Sequence, residues 1–124
     1  MIPAGTKVFF AKEPVDLRRS FDGLAATAMS ALSKDPAVGG LFVFVNKRGN
    51  QVRVLFRDPR GWCILAKRLD SGRFKRVRVA DDEVCWETDP RTLIQFLDEI
   101  EVPTPRGKST RSTRRIPRLE VVQP

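Results

Sequence analysis

The sequence predicts an α+β domain. An antiparallel β-sheet, a meander of about four to five strands, packs with two helices, and a disordered basic C-terminal tail follows. Three observations carry this prediction. Between residues 41 and 79, short runs of strand-forming residues alternate with turn signals. Two stretches, 16–32 and 90–101, instead space their apolar residues by threes and fours, the helical period. From Thr104 to Arg118 apolar residues nearly vanish among Ser, Thr, Pro and Arg, so this stretch lacks the means to build a core.

The elements follow in order. Thr6–Ala11 reads as a short strand centred on Val8-Phe9-Phe10. Pro14 then breaks pairing, and Asp16 is placed to cap the next helix through its carboxylate. Leu17, Phe21, Leu24, Ala25, Ala28, Met29 and Leu32 form that helix's apolar stripe. Gly23 inside it costs about 1 kcal/mol relative to alanine, so it marks a close backbone approach or a non-helical start. Asp35-Pro36 ends the helix, because the residue before proline avoids helical geometry. Leu41–Val45, the turn Asn46–Asn50 and Gln51–Phe56 make the clearest hairpin. Asp58-Pro59-Arg60-Gly61 turns into a strand at Trp62–Leu69, and Asp70-Ser71-Gly72 into a fourth at Arg73–Val79.

Val52, Val54 and Phe56 alternate with Arg53, which predicts one buried face and one charged face. Phe74, Val77 and Val79 alternate poorly, as in an edge strand protected by its charges. Phe42, Phe44 and Trp86 read as core. Glu83–Glu87 is a short last strand, and Asp89-Pro90 reads as an N-cap with proline at the first helical position. Leu93, Phe96, Leu97 and Ile100 give a second helical stripe ending near Glu101. The predicted organisation is one domain over residues 1–103 and a tail over 104–124.

The formal charge is +8 across 124 residues, which points to a polyanionic partner, first of all nucleic acid. Residues 104–124 hold six Lys or Arg against one acid, whereas residues 81–101 hold eight acids against one base. One cationic surface and one acidic surface follow, the acidic one suited to protein contact. Cys63 and Cys85 show no metal or disulfide-framework spacing and read as reduced, partly buried thiols. With no signal segment and no apolar run of membrane length, the expectation is a cytoplasmic protein without membrane contact.

Histidine and tyrosine are absent, which excludes His-based acid–base work, Ser-His-Asp triads and a tyrosine nucleophile. No phosphate-binding glycine loop is present. Asp16, Asp22 and Asp58 are the carboxylates available for a two-metal phosphoryl-transfer site, though capping and turn roles account for them. Ser20 beside Arg18 and Arg19 reads as a solvated helix-start residue. Arg18 and Arg19 either pair with Asp22 within the helix or present guanidinium groups to phosphate. Trp62 and Phe56 read as core residues before base-stacking ones. No catalytic residue, metal ligand or cofactor is predicted.

Asp16–Leu24, Leu41–Phe44, Arg48-Gly49, Val54–Gly61 and Lys67–Phe74 together resemble, in that order, the TnpB accessory proteins of insertion-sequence-sixty-six-type transposable elements. The resemblance covers about residues 2–101. It departs at Arg57, where relatives commonly carry an aromatic, and at Lys75-Arg76, where they often carry a Trp-Pro-like pair. The resemblance implies a non-enzymatic accessory factor of transposition. Such a factor binds DNA, as at the transposon ends, or the transposase and other proteins of the same element. The residues predicted for DNA contact are Arg18, Arg19, Lys47, Arg48, Arg57, Arg60, Lys67, Arg68 and Arg73, with Arg111, Arg114 and Arg115 of the tail. The rival expectations are a protein-interaction module that uses the acidic segment, and a metal-dependent nuclease that uses Asp16, Asp22 and Asp58.

Overall fold

The computed structural model describes residues 5–101 and the backbone of residues 119–122. The elements are β1 (Val8–Ala11), α1 (Phe21–Ala31), β2 (Leu41–Val45), β3 (Gln51–Asp58) and β4 (Gly61–Arg68). They continue with β5 (Arg73–Phe74), β6 (Cys85–Thr88), α2 (Pro90–Asp98), β7 (Ile100–Glu101) and β8 (Leu119–Val122). The main sheet has the order β6-β1-β2-β3-β4-β8. Its strands pair antiparallel except β1 and β2, which run parallel with Val8 opposite Leu41. Parallel neighbours cannot share a tight turn, so α1 makes the crossover between them. The α+β class and the β2–β3–β4 meander stand as predicted.

Four details differ from the sequence reading. The Arg73–Val79 segment does not extend the meander: only Arg73–Phe74 is a strand, and it pairs with β7 in a separate two-stranded sheet. Gly72, at φ +82°, turns the chain away there, and a Cβ at Gly72 would meet the Glu101 carbonyl oxygen at 2.6 Å. The edge of β4 is taken instead by Leu119–Val122, a strand within the predicted tail, with Val121 opposite Leu65. Its apolar, β-branched run suits a strand; Thr104–Arg118 lies outside the described residues. Helix α1 starts at Phe21, capped by the Ser20 hydroxyl accepting from the Gly23 N–H, rather than by Asp16. Asp89 does cap α2, accepting from Thr92 N–H at 2.9 Å, but the helix stops at Asp98 and Ile100–Glu101 is extended.

The sheet is buried on both faces. Phe9, Phe42, Phe44, Leu55 and Ile64 meet Leu17, Leu24, Ala28 and Leu32 on the α1 side. Val8, Phe10, Leu41, Val43, Val52 and Val54 meet Leu69, Phe74, Leu93 and Phe96 on the α2 side. The charged face predicted for β3 is therefore buried at its middle, with Leu55 fully enclosed under α1. Cys63 and Cys85 are buried free thiols, and burial pushes both thiol pKa values up. Among the described residues no helix is long and apolar enough to cross a membrane.

Lys67 is the one buried charged residue among those described. Register places it opposite Val52, on the α2 face of β4. Its ammonium donates to the Leu97 carbonyl near the end of α2 and lies 5.5 Å from the centre of the Phe74 ring. The contact satisfies an orphan helix carbonyl and ties α2 to the sheet. Burial pushes the lysine pKa down, against the opposing charge of Asp98.

Lys67→Ala should cost about 2–4 kcal/mol in urea unfolding, since it opens a cavity and strips the carbonyl, while Lys67→Met should cost well under half of that. The wild-type stability relative to Lys67→Met should rise as pH climbs from the lowered native lysine value towards the ordinary one. In that window the unfolded chain holds a proton that the native chain has released. A flat difference across alkaline pH would refute this. Gly72→Ala should lose more than about 1 kcal/mol, because alanine resists positive φ.

Candidate functional site

The β1–α1 loop and the β2–β3 turn converge at one end of the sheet, at the C-terminal ends of the parallel strands. Leu17, buried in the α1-side core, anchors the loop, and Val15 N–H donates to the Val45 carbonyl at 2.9 Å. Asn46 shapes the turn, its side-chain oxygen accepting from Gln51 N–H at 3.0 Å and its amide donating to Asn50 at 2.8 Å. Gly49, at φ +78°, completes it. Leu69 N–H donates to the Asn50 carbonyl and Phe74 N–H to the Gly49 carbonyl, which brings the end of β4 and the start of β5 alongside.

This scaffold encloses a cleft of about 470 Å³ whose lining includes Asp16, Arg18, Lys47, Arg48, Gln51 and Arg53. Arg53 is half-buried, and its guanidinium donates to the Leu17 carbonyl at 2.6 Å. Arg68, opposite Gln51 in the ladder, and Arg73, whose stem lies over Gly49, extend the positive surface. Lys47, Arg48, Arg53, Arg68 and Arg73 pair with no carboxylate among the described residues. Arg18 differs. Its Nε and Nη2 each lie 3.0 Å from an Asp16 oxygen, and its N–H donates to the same carboxylate. These bonds hold the Asp16 pKa down to about 2 and raise that of Arg18. Three unneutralised cations lining the cleft, Lys47, Arg48 and Arg53, with Arg68 and Arg73 beside it, suit phosphate oxygens, with guanidinium groups able to bond two at once.

The other predicted contact residues fall elsewhere. Arg57 and Arg60 sit at the β3–β4 turn, about 25 Å away along the eight residues of β3. There the Arg57 guanidinium lies 5.2 Å from the centre of the Trp62 ring. Trp62 itself packs half-buried against the α1-side core. Arg19 lies back along α1, donating to the Thr27 hydroxyl at 3.3 Å. Gly23 leaves room for its stem, since a Cβ there would sit 3.0 Å from the Arg19 Cβ. Lys67 is buried and leaves the surface set. Arg111, Arg114 and Arg115 lie outside the described residues. Arg53 is the residue the sequence reading missed.

Asp16, Asp22 and Asp58 do not converge. Asp16 is held by Arg18 at the loop end, and Asp22 is exposed on the first turn of α1. Asp58 folds the far turn, accepting from Arg60 N–H and Gly61 N–H at 2.8 Å each. Those bonds keep its carboxyl pKa low. Among the described residues no three His, Cys, Asp or Glu side chains group as metal ligands. The Arg18–Asp22 pair is likewise replaced by Arg18–Asp16, because the chain is not yet helical at residue 18. Trp86, read as core, is partly exposed on β6.

A family model described as IS66 Orf2 like protein matches residues 6–106. Two curated proteins of Sinorhizobium fredii (strain NBRC 101917 / NGR234) are similar. Uncharacterized protein y4jC is 41% identical over 70 residues, which make up 56% of this chain and 60% of that protein. Uncharacterized protein y4hO is 38% identical over 76 residues, 60% of this chain and 66% of that protein. The matches thus span less than two thirds of either relative's length. No solved structure matches the chain.

The Asp16–Arg18 pair has a direct readout. Carboxyl NMR should place the Asp16 titration near pH 2, and Arg18→Gln should move it part of the way up towards the ordinary aspartate range, since the backbone N–H of residue 18 still donates to the carboxylate. An unchanged titration in that variant would mean that Arg18 does not hold the carboxylate.

Proposed function

The chain belongs to the family of IS66 Orf2-like proteins, and we propose that it is a transposition-associated accessory protein that holds DNA at the basic end of its sheet. The observation that carries this reading is that Lys47, Arg48 and Arg53 line one cleft without acidic partners, with Arg68 and Arg73 extending the positive surface beside it. By contrast, the Lys7–Glu87 and Lys75–Glu99 pairs neutralise their cations within the chain. The net charge of +8 adds a long-range attraction for polyanions. Contacts of this kind go to the sugar–phosphate backbone and fix position rather than sequence. Arg18 is a reserve cation, neutralised by Asp16 until a phosphate competes for it. A reducing cytoplasm is the proposed setting, in keeping with two buried cysteines that form no disulfide. No step of this role calls for a catalytic group.

Binding to a duplex that carries the element's end sequence, followed by fluorescence anisotropy, tests the reading. Affinity should fall steeply with salt, by about a thousandfold between about 50 and about 200 mM for about six phosphate contacts. Lys47→Glu combined with Arg48→Glu should flatten that slope and weaken binding. Asp16→Asn should strengthen it by freeing Arg18. Salt-insensitive binding, or none, would overturn the proposal.

A further inference from the structure

We propose that a second cleft, between α2, β6 and the Lys75–Arg78 segment, seats an unpaired nucleobase, so that the chain grips single-stranded DNA as well as duplex. This rests on the DNA-binding reading above and adds a ligand class to it. The cleft measures about 350 Å³, and its lining includes Val77, Trp86 and Phe96, with Arg76 and Arg78 at the rim. Trp86 is 37% exposed although it adjoins a core. Its ring leans on Phe10 at 5.4 Å between centroids, and Phe10 meets Phe96 edge-on at 4.9 Å. The indole is thus supported from beneath and accessible from solvent. A partly exposed aromatic in a cationic groove is the arrangement on which bases stack while guanidinium groups take the flanking phosphates.

The local charges favour the same ligand. Glu99, also at the cleft, is tied to Lys75 at 3.5 Å. Glu87 follows Trp86 on β6, so the pleat sends it to the opposite face, where Lys7 holds it at 3.4 Å. Arg76 and Arg78 have no carboxylate partner among the described residues, which leaves the rim net positive. No residue lines both clefts, but the chain itself links this one to the first site. Arg73 lies over the β2–β3 turn, and the chain from Arg73 to Arg78 leads from there to Trp86, with cations at Arg73, Lys75, Arg76 and Arg78. A strand leaving a duplex at the basic end follows this path. An intact duplex keeps its bases stacked inside and offers Trp86 nothing to stack on. An acidic peptide with an aromatic side chain matches the rim and the floor but makes no use of the run of cations from Arg73 to Arg78.

The test uses the full chain with Trp62→Phe, which leaves Trp86 as the sole tryptophan. It is titrated with a labelled thymidine oligonucleotide, with a duplex of equal length, and with a glutamate-rich peptide containing phenylalanine. The single strand should quench Trp86 emission and the duplex should not. Trp86→Ala should lose about tenfold in single-strand affinity, with duplex affinity held within about twofold, while Trp86→Phe keeps most of the binding because it still stacks. Arg76→Glu with Arg78→Glu should weaken the single strand selectively. Duplex binding with no Trp86 response to the single strand, or equal single-strand affinity in Trp86→Ala, would overturn the base seat and leave the phosphate site standing. Absence of binding to either DNA would overturn both. Tighter quenching by the peptide than by the oligonucleotide would make the cleft a protein-docking site and refute the inference.

Discussion

The burial of β2 and β3 on both faces is the constraint on which the rest of the structure depends. A strand sends alternate side chains to opposite faces, and Leu41-Phe42-Val43-Phe44 has no polar residue at any of the four positions. All four are buried, and a single covering layer cannot achieve that. Phe42 and Phe44 require α1, while Leu41 and Val43 require α2 with β5 and β7. Once both faces are covered, the strand ends and the sheet edges are the main sites left for charge. Lys47, Arg48, Arg53, Arg68 and Arg73, which pair with no carboxylate among the described residues, gather at one such end.

That constraint also explains the fate of individual charged residues. Arg53 and Lys67 both lie on strands among buried neighbours, yet they end differently. Arg53 shares the α1 face with Leu55 but lies beyond the helix, so its guanidinium reaches the Leu17 carbonyl and keeps one side towards the cleft. Lys67 lies opposite Val52 beneath α2 and spends its ammonium on the Leu97 carbonyl. One stays available to a ligand. The other holds a helix in place.

Much of the fold was legible in the sequence because its signals are local. The β2–β3–β4 meander followed from strand runs separated by turn residues, and Asp89-Pro90 marked the start of α2. The start of α1 was misplaced because Asp16, Ser20 and Asp22 are all credible caps, and the choice turned on Arg18 taking the Asp16 carboxylate. Of the candidate site, Lys47, Arg48, Arg68 and Arg73 were legible as cations beside turns. Lys67 was misread, although the parity of Leu65 and Lys67 on β4 with Leu69 just beyond it carried the warning. Arg53 was read only as part of a charged face, since nothing local announces a loop carbonyl 36 residues away.

By itself the sequence determined the β2–β3–β4 meander, the presence of β1, β6 and the two helices, the helix-capping chemistry of α2 and the cationic excess. These depend on neighbours within a few residues, where periodicity and turn stereochemistry operate. Only the tertiary structure decided that β1 lies parallel to β2, that Arg73–Phe74 leaves the meander for β7, and that the basic residues divide between two ends of the sheet. The physical reason is that a strand's edge accepts any partner with complementary backbone groups. Which partner it takes is settled by the joint burial of both faces, a non-local sum that no single segment contains.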